Sequence, residues 1–214
     1  MARKRVAVLI SGRGSNMTAL VEAAKARDYP AEIALVVSNR PDAAGIGYAR
    51  EAGIATAVID HTQYGKDREA FERALQAELE KSQIEIVCLA GFLRILTPWL
   101  IERWEGRMLN IHPALLPNFK GLHTHEQALA AGARQHGATV HFVTVGMDEG
   151  PTVCQASVPV LDGDTADTLA ARVLTVEHTI YPLALKWLAE GKVRVVDGRS
   201  ILNDAHVPEG VTIP

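Results

Sequence analysis

The sequence predicts an α/β fold: a doubly wound, mostly parallel sheet with helices on both faces and an antiparallel C-terminal portion. Up to about residue 90, short apolar runs rich in β-branched residues alternate with amphipathic segments of helical length. This alternation is typical of a parallel sheet buried between helices. Further along, two segments of alternating polarity flank a turn at residues 146–151, which predicts an antiparallel hairpin.

The N-terminal elements follow from the alternation. Strands are predicted at residues 6–10, 33–38, 55–59 and 84–89, and helices at residues 15–27, 43–52 and 68–81. Each strand is a short apolar run, and each helix repeats its apolar residues at helical spacing. The order strand, helix, strand predicts that consecutive strands run parallel.

The pattern changes after Pro98. A short strand is predicted at 108–111, an ordered loop at 112–124, two strands at 139–145 and 152–161, a helix at 164–190, and a terminal hairpin at 193–196 and 200–202. Asp164 or Thr165 is expected to cap the long helix, and Pro182 to kink or split it. With no repeat and no linker, residues 1–214 are expected to form a single domain.

Composition and charge argue against several classes of protein. Hydrophobic residues make up 48% of the 214 residues and charged residues 22%, which is ordinary for a globular protein. A net charge of -3 argues against bulk attraction to nucleic acid or membrane. The distant Cys88 and Cys154 form no disulfide framework. No apolar stretch resembles a secretion signal or approaches the ~18 residues of a membrane span, so we expect a cytoplasmic protein.

A glycine-rich loop, Ser11-Gly12-Arg13-Gly14-Ser15-Asn16, joins the first strand to the first helix. Its glycines allow close backbone approach, and the free amides of a helix N-terminus bind anions such as phosphate. The spacing fits neither a dinucleotide fingerprint nor a Walker A loop. A simple strand-to-helix turn with Ser15 as N-cap is an equally good interpretation, and the residues alone leave both open.

A second polar group forms around Asn110 and His112, which alternate with apolar residues at a strand end and therefore share one face. Asp148 lies in the glycine-rich turn of the predicted hairpin. A carboxylate beside an imidazole stabilises its cationic form and fixes its orientation. A carboxamide donates to a developing oxyanion. The three groups together suit attack by an amine on an acyl carbon.

Each of these residues also has a structural interpretation. A lone histidine is more often structural than catalytic, and an aspartate in a turn usually only forms the turn. His123 and His125 have the spacing of a metal half-site, but no third ligand follows, so we expect no metal. Ser11 and Ser15 lie in no nucleophile elbow, which argues against a serine hydrolase.

The motifs taken together resemble the folate-dependent formyltransferases from residue 6 to about residue 190, a family with a Rossmann-like fold. The segments that carry the resemblance are Leu89-Ala90-Gly91-Phe92-Leu93-Arg94-Ile95-Leu96, Asn110-Ile111-His112-Pro113-Ala114-Leu115-Leu116-Pro117, Gly121-Leu122-His123-Thr124-His125, Gly137-Ala138-Thr139-Val140-His141-Phe142-Val143 and Asp148-x-Gly150-Pro151. The glycine loop and Glu177-His178-x-x-Tyr181-Pro182 narrow it to the branch that acts on glycinamide ribonucleotide in purine synthesis.

The resemblance implies transfer of a formyl group from 10-formyltetrahydrofolate, as co-substrate, to the amine of glycinamide ribonucleotide. It implies Asn110, His112 and Asp148 as the catalytic residues. The implied ribonucleotide-binding residues are Gly12, Arg13, Gly14, Ser15, Asn16, Pro113 and Glu177. The implied folate-binding residues are Arg68, Leu93, Arg94, Ile95, Leu96, Asn110, Thr144, Val145, Gly146, Met147 and Asp148.

The resemblance further implies a nucleotide-phosphate-binding half at about 1–100 and a catalytic, folate-binding half at about 101–214. The expected partners are the two small substrates, without nucleic acid or membrane, in a monomer or homodimer. Two positions depart from the family pattern. Leu174 stands where relatives offer a polar or cationic side chain, and Glu149 where some relatives have glycine.

Four alternatives compete with this interpretation. Formyltetrahydrofolate deformylase shares the core but typically carries an extra N-terminal regulatory domain. Methionyl-tRNA formyltransferase adds a C-terminal RNA-binding domain, for which no basic segment is found. A non-enzymatic nucleotide or folate sensor would not require Asn110, His112 and Asp148 together. An aldehyde or hydride enzyme would need a cofactor loop that the sequence lacks.

Overall fold

A computed structural model describes residues 2–203 and 205–206. The chain divides into two compact units, residues 1–109 and 110–214. The elements of the first unit are β1 (Lys4–Ile10), α1 (Ser15–Ala24), β2 (Ala31–Ser38), α2 (Gly45–Glu51), β3 (Ala55–Val58), a 3-10 helix (His61–Tyr64), α3 (Arg68–Lys81), β4 (Ile86–Leu89) and α4 (Pro98–Arg103). The second unit contains α5 (Thr124–Ala130), β6 (Gln135–Phe142), β7 (Thr152–Pro159), α6 (Ala166–Ala189), β8 (Val193–Val196), β9 (Arg199–Leu202) and β10 (Ala205–His206). Strand β5 (Met108–His112) begins just before the boundary.

Seven strands form one sheet in the order β3-β2-β1-β4-β5-β6-β7, and β10-β9-β8 form a second, small sheet. Strand β1 pairs in parallel with β2 and with β4, and β2 pairs in parallel with β3. Strands β6 and β7 are antiparallel, as are β8 and β9. The predicted fold class, a mostly parallel sheet with an antiparallel C-terminal portion, is confirmed.

The core of the first unit forms because β1 is apolar along most of its length. All five residues from Val6 to Ile10 are fully buried, as expected for a central strand covered on both faces. Helices α1 and α3 contribute Leu20 and Leu75 to this core. The predicted strands and helices of this unit are all present, with ends shifted by up to three residues.

The N-cap of α1 differs from the residue that the sequence predicts, Ser15. The N-cap of α1 is Gly14, which adopts a left-handed conformation at φ 74, and Ser15 is the first helical residue. The interpretation of Ser15 as N-cap is therefore wrong. Glycine is suited to this position because a side chain there would be strained by the positive φ and would meet Met17.

The second unit packs α6 against the hairpin of β6 and β7. Thr165, one of the two predicted caps, forms a capping box with Thr168, while the Asp164 carboxylate binds Arg172 at 2.7 Å. Of the kink or split expected at Pro182, a split is wrong, because α6 runs unbroken from Ala166 to Ala189. Burial of Tyr181 and Leu185 around the proline stabilises the helix through this position.

Two short α-helices and the 3-10 helix at His61–Tyr64 were not predicted. The six-residue α4 begins at Pro98 with Thr97 as N-cap, a start signal that sequence inspection could have used. The seven-residue α5 begins at Thr124, where the predicted loop ends. Among the residues that the structure describes, no helix combines the length and apolar character that a membrane crossing requires.

Candidate active site

Asn110 and His112 lie at the end of β5, and contacts of less than 4 Å connect both to Asp148 within the second unit. Nδ1 of His112 is 3.5 Å from Oδ2 of Asp148. Asn110 contacts His141 at 3.1 Å, and Nε2 of His141 is 3.9 Å from Oδ1 of Asp148. The structure therefore brings the three predicted catalytic residues together, and it adds His141 to them.

The contacts of His112 restrict where its protons lie. Nε2 is 2.9 Å from the carbonyl oxygen of Phe119, and a carbonyl only accepts, so Nε2 carries a hydrogen and donates it. Nδ1, which faces Asp148, then carries a hydrogen only when the ring is a cation. At 3.5 Å the approach to Asp148 is longer than a normal N–H···O bond, so it acts as a charge contact. A cationic His112 thus retains an N–H donor that is not tightly bound to the carboxylate.

His141 fixes the orientation of the Asn110 carboxamide. Its Nδ1 is 2.9 Å from the carbonyl oxygen of Phe142 and must donate to it. Burial lowers the pKa of His141, which favours the neutral ring, so Nε2 keeps its lone pair. Nδ2 of Asn110 therefore donates one hydrogen to Nε2 of His141, and its second hydrogen is available for a substrate atom.

The turn that carries Asp148 is shaped by close backbone contacts. Asp148 itself has a left-handed backbone, with φ 53, which is unusual for a residue other than glycine. A Cβ at Gly150 would lie 1.7 Å from the carbonyl oxygen of Phe142, so only glycine fits there. Oδ2 of Asp148 accepts a hydrogen bond from the Gly121 amide at 2.9 Å. These contacts hold the carboxylate in place against His112.

The predicted folate segment at 144–147 leads into this turn. Val145 and Met147 are exposed apolar side chains, and the Thr144 hydroxyl donates to the carbonyl of Gly146 at 3.4 Å. Exposed apolar groups next to convergent polar groups are typical of small-molecule sites. The role of these residues in folate binding stays a prediction.

The first unit contains the glycine loop, which lines a cavity of about 210 Å³. The cavity is lined by Gly12, Arg13, Gly14, Ser15, Asn16, Ala90, Gly91 and Leu93. The loop leads directly into the N-terminus of α1, whose first turn has no acidic residue. The free amides of this first turn therefore carry a positive partial charge that no carboxylate in the turn neutralises. Such an arrangement favours binding of an anion.

Ser11 joins the glycine loop to the predicted folate segment after β4. Its buried hydroxyl donates to Oδ1 of Asn39 at 2.6 Å and accepts the amide hydrogen of Leu93 at 2.8 Å. Its own amide donates to the carbonyl of Gly91 at 3.1 Å. One side chain thus connects the ends of three parallel strands, a role that the sequence did not reveal.

The rest of the predicted folate segment is anchored from α3. The Glu72 carboxylate, 1% exposed, accepts the amide hydrogen of Thr97 at 2.6 Å and also binds the Thr97 hydroxyl. The guanidinium of Arg94 stacks over the ring of Phe71, with its Cζ atom 4.7 Å from the ring centroid. These contacts leave Leu93 and Ile95 exposed and bury Leu96.

The remaining predicted binding residues lie in separate elements. Arg68 is the first residue of α3, and Asp67 caps that helix. Glu177 is buried on α6, and Leu174 lies half-buried one turn before it. The carbonyl of Pro113 accepts a hydrogen bond from Thr124 at 2.6 Å. Their roles toward a ribonucleotide or a folate stay predictions.

Within the described part of the chain, no group of three or more His, Cys, Asp or Glu side chains is placed to hold a metal ion. His123 is exposed and lies 3.4 Å from Glu126. His125 instead packs edge-on against His136, with ring centroids 5.1 Å apart. The two imidazoles of the possible half-site therefore have different neighbours.

The fold is that of formyl-transferring enzymes. The family model described as formyl transferase matches residues 4–185, and the chain therefore belongs to the formyl transferase family. This confirms the family predicted from the motifs, and the protein is an enzyme of the transferase class.

Within that family, the chain is similar to proteins named phosphoribosylglycinamide formyltransferase. Phosphoribosylglycinamide formyltransferase of Escherichia coli (strain K12) is 45% identical over 203 residues, 95% of each chain. The trifunctional purine biosynthetic protein adenosine-3 of Bos taurus is 49% identical over 193 residues, 90% of this chain and 19% of that protein. A solved structure of phosphoribosylglycinamide formyltransferase from Coxiella burnetii superposes with a TM-score of 0.93 at 40% identity, covering 99% of this chain and 100% of that one.

Proposed function

We propose that this enzyme transfers the formyl group of 10-formyltetrahydrofolate to the amine of glycinamide ribonucleotide, a step of purine biosynthesis. The products are formylglycinamide ribonucleotide and tetrahydrofolate. The observation that carries the proposal is the cluster of Asn110, His112 and Asp148, which offers hydrogen-bond donors and a carboxylate around one point. Likeness to phosphoribosylglycinamide formyltransferases over nearly the whole chain supports the choice of acceptor.

The cluster assists the reaction by stabilising charge. The uncharged amine of the acceptor attacks the formyl carbon, and negative charge develops on the formyl oxygen. The second amide hydrogen of Asn110 and the Nδ1 hydrogen of cationic His112 donate to that oxygen. Asp148 stabilises the imidazolium. The amine then loses a proton through water, the bond from carbon to the folate nitrogen breaks, and that nitrogen is protonated.

The two substrates use different parts of the chain. The glycine loop from Gly12 to Asn16 binds the ribonucleotide phosphate through its amides, and Glu177 accepts hydrogen bonds from the ribose hydroxyls. Pro113 contributes to the same substrate. Arg68 binds the glutamate tail of the folate, while the segment at 93–96 in the first unit, and Asn110 with the segment at 144–148 in the second, each contribute contacts to its pterin. The enzyme works in the cytoplasm as a monomer or homodimer, without nucleic acid.

The direct test is to incubate the protein with glycinamide ribonucleotide and a 10-formyl folate and to follow both products. We expect formylated ribonucleotide and tetrahydrofolate in equal amounts, with each dependent on the acceptor. Release of formate at the same rate without the ribonucleotide would overturn the proposal in favour of a deformylase. A His112→Ala variant, in which both products should fall together, checks that the turnover belongs to this site.

A further inference from the structure

An exposed ion pair lies directly beside the catalytic cluster. Nζ of Lys120 is 2.9 Å from Oε1 of Glu149. The two neighbours of Lys120 contact the catalytic groups: the Phe119 carbonyl accepts a hydrogen bond from His112, and the Gly121 amide donates one to Asp148, each at 2.9 Å. Glu149 directly follows Asp148 in the chain. Three consecutive residues, 119 to 121, thus contact the catalytic histidine, the catalytic aspartate and the residue that follows it.

The Glu149 side chain has a defined position within its turn. A Cβ built on Gly146 would lie 2.3 Å from Oε2 of Glu149 and 3.1 Å from its Cδ. The carboxylate therefore lies directly over the Gly146 backbone, and a larger residue at 146 would displace it. From this position the other carboxylate oxygen, Oε1, contacts Nζ of Lys120.

We infer that Lys120 and Glu149 are a pair of positioning residues that holds segment 119–121 against His112 and Asp148. The inference rests on the proposed function for its catalytic readout. When the pair is formed, the Phe119 carbonyl accepts the hydrogen bond from Nε2 of His112. The Gly121 amide then holds the Asp148 carboxylate beside Nδ1 of His112. When the pair is broken, segment 119–121 separates more often from the two catalytic residues, and their mutual orientation is lost for that time.

The size of the effect follows from exposure. The side chains of Lys120 and Glu149 are 38% and 59% exposed, so water and salt screen their attraction. Exposed pairs of this kind change an equilibrium by about threefold, which is roughly 0.6 kcal/mol at 1.36 kcal/mol per factor of ten. The contribution should largely disappear at ~1 M salt, where the Debye length is about 3 Å.

The kinetic test compares Glu149→Gln, Lys120→Gln and the swapped double variant Lys120→Glu with Glu149→Lys. We expect each single variant to lower kcat by at most about threefold at low salt, and by less the more completely the wild-type segment is closed, and to match the wild type at ~1 M salt. The swapped variant should recover most of the loss. Saturating both substrates removes the effect of salt on their binding. Equal losses at both salt concentrations, or no recovery in the swapped variant, would overturn the inference.

A matched control is the pair of Lys25 and Glu22 on α1, which is 2.7 Å apart with side chains 61% and 52% exposed. Lys25→Gln should leave kcat unchanged at both salt concentrations. Because all the substituted side chains are exposed, the variants are expected to fold, and a thermal melt checks this.

A second measurement needs no substrate. Amide hydrogen exchange reports how often the bond from Gly121 to Asp148 opens. We expect exchange at Gly121 to be about threefold faster in Glu149→Gln and unchanged in Lys25→Gln, again with the difference lost at high salt. Unchanged exchange at Gly121 would overturn the inference even if kcat fell. If the wild type forms no formylated ribonucleotide, the proposed function fails, while the exchange result still decides on the pair.

Discussion

Asn110 donates from Nδ2 to Nε2 of His141 at 3.1 Å, and this bond determines which way the Asn110 carboxamide faces. His141 is buried, and its own Nδ1 is committed to the Phe142 carbonyl at 2.9 Å. The ring therefore offers only an acceptor to Asn110. A carboxamide could otherwise turn its oxygen to this side, and the second amide hydrogen, the proposed donor to the oxyanion, would then face elsewhere.

Replacing His141 should consequently impair catalysis more than binding. In His141→Phe the ring volume is retained but the acceptor is lost, so the Asn110 amide spends part of its time in the wrong orientation. We expect kcat to fall by about tenfold, less than the 10²–10³ expected for loss of the donor itself. The KM for the ribonucleotide should change little. Steady-state kinetics measures both, and an unaltered kcat would show that other contacts suffice to orient Asn110.

Truncating the proposed catalytic residues themselves should have a larger effect. Asn110→Ala and His112→Ala each remove a proposed donor to the developing oxyanion, and loss of such a donor typically costs about 10²–10³ in rate. We expect kcat to fall by that factor, while calorimetry still detects binding of the ribonucleotide. The two losses should not add fully in the double variant, since both groups act on one oxygen. Near-normal turnover in either single variant contradicts the assignment.

Replacing Arg68 should weaken binding of the formyl donor and leave binding of the ribonucleotide unchanged. It begins α3, within the first unit, and is proposed to bind the folate glutamate. Arg68→Ala should raise the KM for the formyl donor by about tenfold, the loss of one charge-assisted hydrogen bond, without changing that for the ribonucleotide. Arg50→Ala on α2 removes a similar exposed charge as a control. A selective rise in the ribonucleotide KM would move Arg68 to the other pocket.

Side-chain patterns predicted much of this arrangement. Asn110 and His112 are two residues apart on a strand and share one face, and Asp148 lies in a predicted turn. These patterns suggested that the three residues meet, and in the structure they do. The glycine loop was located in the same way, and its residues line a cavity. What these residues bind remains a prediction, because binding depends on molecules that the chain alone does not contain.

Other parts of the site had no such signature. The Phe119 carbonyl and the Gly121 amide are backbone groups, so any residue types could supply them. His141 lies in an apolar run that indicates only a strand, and its role arises from the residues that face it across the fold. For Ser11 the sequence argues only against a role as a hydrolase nucleophile, whereas in the fold its hydroxyl is buried and bonded to Asn39 and Leu93. Such roles follow from long-range contacts, which local spacing does not encode.

Ser11 offers a test of how residues 93–96 are held in place. We call these residues the donor segment, because they are proposed to bind the formyl donor. In Ser11→Ala the Leu93 amide loses its acceptor, which typically costs about 1 kcal/mol, or roughly fivefold. We expect the KM for the formyl donor to rise by about that factor, with kcat nearly unchanged. Ser38→Ala is the control, because both described bonds of its buried hydroxyl are to Arg40: it donates to the carbonyl at 2.8 Å and accepts the amide hydrogen at 3.0 Å. It should lower stability similarly but leave the donor KM unaltered. If both variants shift KM alike, Ser11 has no specific connection to the donor segment.

The stability of the fold should fall in mild acid because of buried histidines. His136 is fully buried and packs against the rings of His125 and Phe119. Burial lowers the pKa of His136 to about 4, from 6.5. Between these two values the unfolded chain binds a proton that the folded chain does not. Stability from this group is therefore fully present above pH 6.5 and is lost progressively as the pH falls toward 4.

Urea unfolding at pH 7 and pH 5 measures this effect. His136 alone should lower the free energy of unfolding by up to about 2 kcal/mol over that interval, at about 1.4 kcal/mol per pH unit below 6.5. In His136→Phe the edge-on ring packing is retained but the titrating group is gone, so the variant should lose correspondingly less stability at pH 5. The exposed His123→Gln should keep the wild-type pH dependence. If His136→Phe keeps it as well, protonation of His136 does not limit stability in acid, and other buried groups such as His125 and His141, whose pKa values burial also lowers, must account for the loss.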